Sequence, residues 1–146
     1  MALVLFAATA LSSCKNMPDF SDVTGKEWFL AEIRTKSEII VLARNDPEKG
    51  GLGNAFSLVL DAGRVSGAGA PNRYFAPYTL GENQAITIQD IAGTMMAPLF
   101  EPEKLKEHDY FSYLQNASKW DFAKRQLKIY TRGDNGAEAV MIFSAR

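Results

Sequence analysis

The sequence predicts a mainly β domain: a curved antiparallel sheet or cracked β-barrel of about eight short strands, with one helix packed across it. Short segments of strand-forming residues recur along the chain between turns rich in glycine, proline or asparagine. Only one segment, late in the order, has helical periodicity. Because strands do not alternate regularly with helices, a doubly wound α/β sheet is disfavoured.

Length and composition agree with one globular domain. The chain has 146 residues, of which 47% are hydrophobic, 11% aromatic and 23% charged. Lysine and arginine total 16 against 17 acidic residues, for a formal net charge of −1. Since a dedicated nucleic-acid binder carries a basic excess, we expect no nucleic-acid partner.

The predicted strands follow one another in short runs. Pro77 interrupts one of them, which places that strand at a sheet edge or a bulge. Glycine-containing turns at residues 61–63 and 132–136 predict hairpins, and residues 45–54 predict a longer loop. The strand-forming segments are residues 27–34, 38–44, 56–61, 64–67, 74–80, 85–88, 120–123, 126–131 and 139–144.

The helix is predicted over residues 102–117. Pro102 suits the first helical position, and the acidic residues around it suit the positive end of the helix dipole. Tyr110, Phe111 and Leu114 share an apolar face with Glu107 beside them. The predicted core combines this face with strand residues: Trp28, Phe56, Leu58, Leu60, Ile86, Ile88, Phe111, Leu114, Ile129 and Phe143.

The start of the chain predicts a signal peptide and a lipid anchor. Residues 1–13 are uncharged and apolar, too short to span a membrane, and end in Leu11-Ser12-Ser13-Cys14, which resembles the bacterial lipobox. We therefore expect a signal peptide over residues 1–13, acylation of Cys14, a tether over residues 14–24 and a domain over residues 25–146. The alternative is a buried N-terminal strand with an inert cysteine.

This lipid anchor predicts a location in the cell envelope and makes the membrane a partner. Acyl chains on Cys14 would hold the protein in the membrane, facing the periplasm or the exterior of the cell envelope. Signal peptides begin with lysine or arginine, and none precedes Cys14, so we expect the precursor to start upstream of Met1. Cys14 is the only cysteine, so no disulfide within the monomer is expected.

Motifs for catalysis, metals and cofactors are weak. The only histidine, His108, lies between Glu107 and Asp109, and adjacent helix positions point in different directions. With that single histidine and an acylated cysteine, we predict no metal site of the usual zinc type and no histidine-assisted serine site. The short glycine runs lack a phosphate-binding pattern, so no cofactor is expected. Carboxylates are scattered along the chain and the sequence does not pair them across strands, so a catalytic site built from carboxylates stays an alternative.

Several segments together resemble the META domain family, which includes HslJ-like bacterial envelope proteins. The pattern opens with Gly-x-x-Trp-x-Leu over residues 25–30, and Asn72-Arg73-Tyr74-Phe75 follows a glycine-rich turn. Thr94-Met95-Met96-Ala97 resembles the family's Thr-x-Met-Ala element, and the helix carries Phe-x-x-Leu at residues 111–114. The closing strands at residues 127–130 and 140–143 also fit.

The resemblance implies a cracked barrel without known enzyme activity or cofactor, in proteins associated with the envelope, stress or drug tolerance. Many members have cysteine just before the Asn-Arg pair and after the Thr-x-Met-Ala element, whereas this chain has Pro71 and Pro98. A thiol or disulfide role is therefore absent here. Proline restricts φ and stiffens both turns, which replaces part of such a crosslink.

The leading functional hypothesis is a non-catalytic envelope lipoprotein that binds a partner protein or an apolar ligand; the alternative is an envelope hydrolase using carboxylates. A second alternative is purely structural, with Asn72 and Arg73 capping a turn and Met95 and Met96 filling the core. The aromatic cluster of Tyr74, Phe75 and Tyr78 exceeds what one short, proline-broken strand buries, so we expect part of it to line an opening or a partner surface. The candidate surface comprises Asn72, Arg73, Tyr74, Phe75, Tyr78, Thr94, Met95 and Met96.

Overall fold

The computed structural model describes residues 17–44, 52–98, 102 and 104–146. The predicted signal peptide over residues 1–13, Cys14 and the first residues of the predicted tether lie outside the described residues. No helix in the described part of the chain is long and apolar enough to cross a membrane.

The described residues form ten strands, one 3-10 turn and one α-helix. The turn is Phe20–Asp22, and the helix α1 is Glu107–Gln115. The strands are β1 Glu27–Thr35, β2 Ile39–Val41, β3 Ser57–Asp61, β4 Arg64–Ala68, β5 Arg73–Leu80, β6 Ile86–Ile88, β7 Ala92–Gly93, β8 Lys119–Ala123, β9 Gln126–Arg132 and β10 Glu138–Ala145.

Eight of these strands wind into a nearly closed barrel. They pair in the order β6-β5-β4-β3-β1-β10-β9-β8, and all of these pairs are antiparallel. Two backbone hydrogen bonds join the ends of this path: Ile86 N to Ser118 O at 3.2 Å and Trp120 N to Gln84 O at 2.9 Å. The predicted cracked barrel with one α-helix is confirmed.

Two short strands lie off this path. β1 has an irregularity between Leu30 and Glu32; its first half pairs with β3 and its second half with β2. On the outer edge of β5, β6 pairs with the second half and β7 pairs with Tyr74 and Phe75. Beside the first half of β5, the sheet of described residues therefore has a free edge, which β7 forms.

The core lies inside the barrel and under α1. Strand residues alternate between inside and outside, most clearly in β5, where Tyr74, Ala76 and Tyr78 are buried and the residues between them are exposed. Every predicted core residue except Phe111 is buried, and Phe111 packs against the core while half-exposed. The predicted core is therefore confirmed with one partial exception.

Two predicted boundaries are wrong. The helix begins at Glu107 rather than Pro102, because Leu105 is inserted into the core with 2% exposure and Lys106 is extended. The segment predicted as a strand over residues 38–44 forms only the three-residue β2, and beyond it the Arg44 guanidinium bonds backbone carbonyls of Leu30, Ala55 and Phe56.

The last residues of the predicted tether pack on the barrel. Phe20 lies 4.9 Å from Trp120 and 5.7 Å from Tyr78, measured between ring centroids. Val23 is buried, and its carbonyl accepts a hydrogen bond from the Trp28 indole at 2.8 Å. Because these apolar side chains find partners in the core, the folded domain begins by about residue 20 rather than at residue 25.

Candidate functional site

The Asn72 side chain joins two segments that the family motifs mark. Its Oδ1 accepts hydrogen bonds from Met96 N at 2.6 Å and from the Thr94 hydroxyl at 2.8 Å. Its Nδ2 donates to Met96 O at 3.2 Å. Asn72 is buried, so these bonds are shielded from water. Its contribution is to fix the backbone of the Thr94–Met96 segment against the start of β5.

Glu107 extends this network to the helix. Its Oε1 accepts from the backbone N–H groups of Ala70 and Asn72, each at 2.6 Å, and its Oε2 accepts from Asn72 Nδ2 at 2.7 Å. A Cβ at Gly69 would overlap this carboxylate, so a larger residue there would displace Glu107 from these hydrogen bonds. Glu107 therefore docks the first turn of α1 onto the turn before β5.

The segment fixed by Asn72 presents its methionines to solvent. Met95 is 99% exposed and Met96 is 59% exposed. The interpretation that these methionines fill the core is therefore wrong. The interpretation that Asn72 has a structural role agrees with its hydrogen bonds.

The predicted aromatic cluster divides between the two faces of β5. Tyr74 is 3% exposed; its hydroxyl donates to Ser57 O at 3.0 Å and lies 3.1 Å from the Tyr110 hydroxyl. Burial raises the pKa of both tyrosines above that of an exposed tyrosine. Tyr78 is also buried, whereas Phe75 is 45% exposed. Tyr74 and Tyr78 are therefore core residues, and Phe75 alone faces outward.

Phe75 lies in an open groove of about 340 Å³ on the outer side of β4, β5 and β7. The Arg64 guanidinium carbon stacks over its ring, 4.3 Å from the centroid. Arg73 and Thr94 also line the groove. Neither arginine forms an ion pair with a carboxylate of the described residues. We call Arg64, Arg73, Phe75, Met95 and Met96 the β5–β7 surface; it combines exposed apolar groups with two cations.

A second group of polar residues lies beside the same first turn of α1. Ligand-type atoms of His108, Asp109 and Asp134 lie within 4.8 Å of one another. The fold therefore brings together His108 and Asp109, which we expected to diverge, and adds Asp134 to them. All three are at least partly exposed, and the Ser112 hydroxyl bonds the Asp134 carboxylate. These contacts account for the cluster without an ion, and the absence of a metal site stays a prediction.

The sequence reasoning missed Arg64 and the role of Glu107. Period-two alternation would have found the first, since Arg64 and Phe75 both belong to the outward set of their strands. Glu107 was placed correctly beside the apolar face of the helix. Its partners, however, lie 35 and 37 residues earlier, and no local pattern reports such a contact.

Comparison with known proteins places this geometry in a family. The fold is similar to that of a Burkholderia xenovorans protein solved by NMR, with a TM-score of 0.60, 20% identity, and coverage of 86% of this chain and 85% of that one. A DUF4847 family protein from Bacteroides vulgatus matches with a TM-score of 0.55, 12% identity, and coverage of 85% and 94%. These likenesses concern the fold alone.

A search of curated proteins gave no match. The family model of the META domain matches residues 21–144, which include the barrel, α1 and the β5–β7 surface. The match begins close to where Phe20 and Val23 join the core. The chain belongs to the META domain family.

Proposed function

We propose that this META domain is a non-catalytic binding module of a bacterial envelope lipoprotein, and that it binds a partner protein through the β5–β7 surface. The observation that carries the proposal is the exposure of Phe75, Met95 and Met96 on backbone that is held in place. Phe75 lies on β5, and Met95 and Met96 follow β7, which pairs with β5. Exposed apolar side chains on neighbouring elements are typical of an interaction site.

The composition of this surface suits a protein partner. Aromatic residues, methionine and arginine are enriched at protein interfaces. The flexible thioether side chains of Met95 and Met96 adapt to varied apolar groups. The Asn72 hydrogen bonds hold their backbone in place, which lowers the entropy lost on binding.

An apolar small molecule is a weaker candidate ligand. The barrel interior around Trp28, Tyr110 and Phe143 is filled by packed side chains, and the groove on its outer side is open and flanked by two arginines. Small apolar ligands favour enclosed, mostly apolar pockets. An extended polypeptide fits an open groove beside a sheet edge better.

A carboxylate hydrolase is also less well supported. General acid–base catalysis needs a carboxyl group within reach of the substrate. Of the described residues that line the groove, none is acidic. A hydrolase would therefore need a carboxyl group that the groove does not provide, whereas a binding module would not.

The envelope location rests on the lipobox-like residues 11–14 and on the resemblance to HslJ-like envelope proteins. Acylation of Cys14 would anchor the domain through a short linker, because packed structure begins by about residue 20. The β5–β7 surface would then meet envelope proteins close to the membrane. A role in envelope stress or drug tolerance would follow from such a partner.

Site-specific photocrosslinking in native membranes tests this function. A benzoyl-phenylalanine photoprobe at position 75 or 95 should yield a discrete protein adduct. The matched control is a probe at position 39, because Ile39 is also an exposed apolar residue but lies on β2. Adducts from position 39 alone, or only lipid adducts from positions 75 and 95, would contradict the proposal.

A further inference from the structure

We infer that the partner presents an extended acidic segment, which adds as a strand to the free edge of β7 and places its carboxylates against Arg64 and Arg73. This inference rests on the proposed function and specifies the chemistry of the partner. Three features of the groove carry it: an unpaired backbone edge, small side chains along its floor, and two arginines without acidic partners among the described residues.

The backbone of β7 has one side free. Thr94 N donates to Arg73 O at 3.0 Å, and the register pairs Gly93 with Tyr74 and Ala92 with Phe75. Hydrogen-bonding groups alternate between the two sides of an antiparallel strand, so the N–H and C=O of Gly93 point away from β5. No strand in the described part of the chain pairs with that side. These groups are available to an added strand.

The sequence of this edge leaves it open to pairing. Residues 92–98 are all exposed and contain no charged side chain, and the only proline is Pro98 at the far end. Natural proteins usually protect exposed edges with lysine, proline or a covering segment. Domains that bind peptides by strand addition use an exposed sheet edge of this kind, with neighbouring side chains that select the peptide.

The arginines indicate which side chains the added strand carries. Ala92 and Thr94 lie on the outward face beside Phe75 and Arg73, and both are small. An added strand would place alternate side chains on that same face, two residues apart. Arg64 is already held over the Phe75 ring, so its guanidinium is presented for a carboxylate at little entropic cost. Glutamate or aspartate at alternate positions complements this face.

An anionic phospholipid headgroup shares the negative charge but uses less of the site. A phosphate would engage the arginines, whereas the Gly93 N–H and C=O groups would gain no strand partner. A lipid is therefore an outcome of the test rather than the proposal.

The test uses the full chain in detergent micelles and a defined probe, the peptide acetyl-Glu-Val-Glu-Val-Glu-amide. Backbone amide NMR should show shifts at Gly93 and Phe75 on titration. The glutamine counterpart, and a peptide N-methylated at both valines, should each bind about fivefold more weakly or worse. The first peptide lacks the charges, and the second lacks the N–H groups that face Gly93.

Matched variants locate the charge effect. Arg64→Gln/Arg73→Gln should weaken binding of the acidic peptide about fivefold or more, and added salt should reduce the difference. Arg125→Gln/Arg132→Gln removes the same charge from the β8–β9 hairpin and should leave binding unchanged.

Any of these titration results would overturn the inference: no peptide shifts, equal binding of the glutamine peptide, equal binding of the N-methylated peptide, or arginine-dependent binding of phosphatidylglycerol vesicles without peptide binding. The proposed function is judged separately. If the photoprobe at position 75 still captures its protein in the Arg64→Gln/Arg73→Gln variant with unchanged yield, the binding module stands and the acidic partner does not.

Discussion

The amide group of Asn72 holds Met96 and the Glu107 carboxylate at once. Asn72→Ala leaves buried groups without partners, and we expect it to lower the free energy of unfolding by about 1–3 kcal/mol. Hydrogen exchange at the Met96 amide should also accelerate. Asn135→Ala, in an exposed turn, should change stability by less than about 0.5 kcal/mol. Unchanged exchange at Met96 would contradict this role for Asn72.

The Tyr110 hydroxyl gives the domain a sensitivity to alkaline pH. Burial raises the pKa of Tyr110 in the folded state, so the unfolded chain loses this proton first. The associated stability is present below about pH 10, the ordinary pKa of tyrosine, and is lost as pH rises above it. Burial also raises the pKa of Tyr74, so Tyr74 adds to the same loss of stability at alkaline pH.

Tyr110→Phe should therefore reduce the loss of stability at high pH. The variant loses a buried hydrogen bond, which costs about 1 kcal/mol at neutral pH. Between about pH 8 and pH 11 its free energy of unfolding should fall by about 1.4 kcal/mol less than that of the wild type. Urea titrations at the two pH values measure this difference, and equal losses would count against it.

The helix α1 contributes to stability unequally along its apolar face. Leu114 is fully buried, so Leu114→Ala should cost about 2–5 kcal/mol. Phe111 is only half-buried, with its ring centroid 5.2 Å from that of Tyr74, so Phe111→Ala should cost less. Urea denaturation of both variants checks the order. Losses below about 0.5 kcal/mol at both positions would mean that the helix does not pack as described.

Local patterns predicted the elements better than their boundaries. Strand-forming residues located β3, β5 and β9, and each of these strands has one face in the core and one outside. The start of α1 was wrong because the burial of Leu105 overrides the helix preference of residues 102–106. β7 could not be predicted either, since its two residues are small and are placed by pairing with β5.

The candidate site was predicted in part. The family motifs located Asn72, Phe75, Met95 and Met96. Which of these residues are buried depends on contacts with distant parts of the chain, and a local motif does not report such contacts. Asn72 is buried by contacts with residues 24 and 35 positions away. The separation of Phe75 from Tyr74 and Tyr78 was available in the alternation of β5. The stacking of Arg64 on Phe75 required the register between β4 and β5.

The whole protein should be anchored through Cys14. Radiolabelled palmitate should label the wild type and fail to label Cys14→Ser, because we expect the Cys14 thiol to be the acylation site in the lipobox-like sequence. The variant should also leave the membrane fraction, since no other acyl attachment is expected. Equal labelling of both proteins would contradict the anchor without affecting the fold.

The central claim is that the β5–β7 surface binds a protein. The most direct measurement is the yield of protein adduct from a photoprobe at position 95 in native membranes, compared between Phe75→Ala and Ile39→Ala. Both changes remove an exposed apolar side chain, so both should leave the melting temperature within a few degrees. We expect Phe75→Ala to lower the adduct yield about fivefold or more and Ile39→Ala to leave it unchanged. Equal yields in the two variants would contradict the claim.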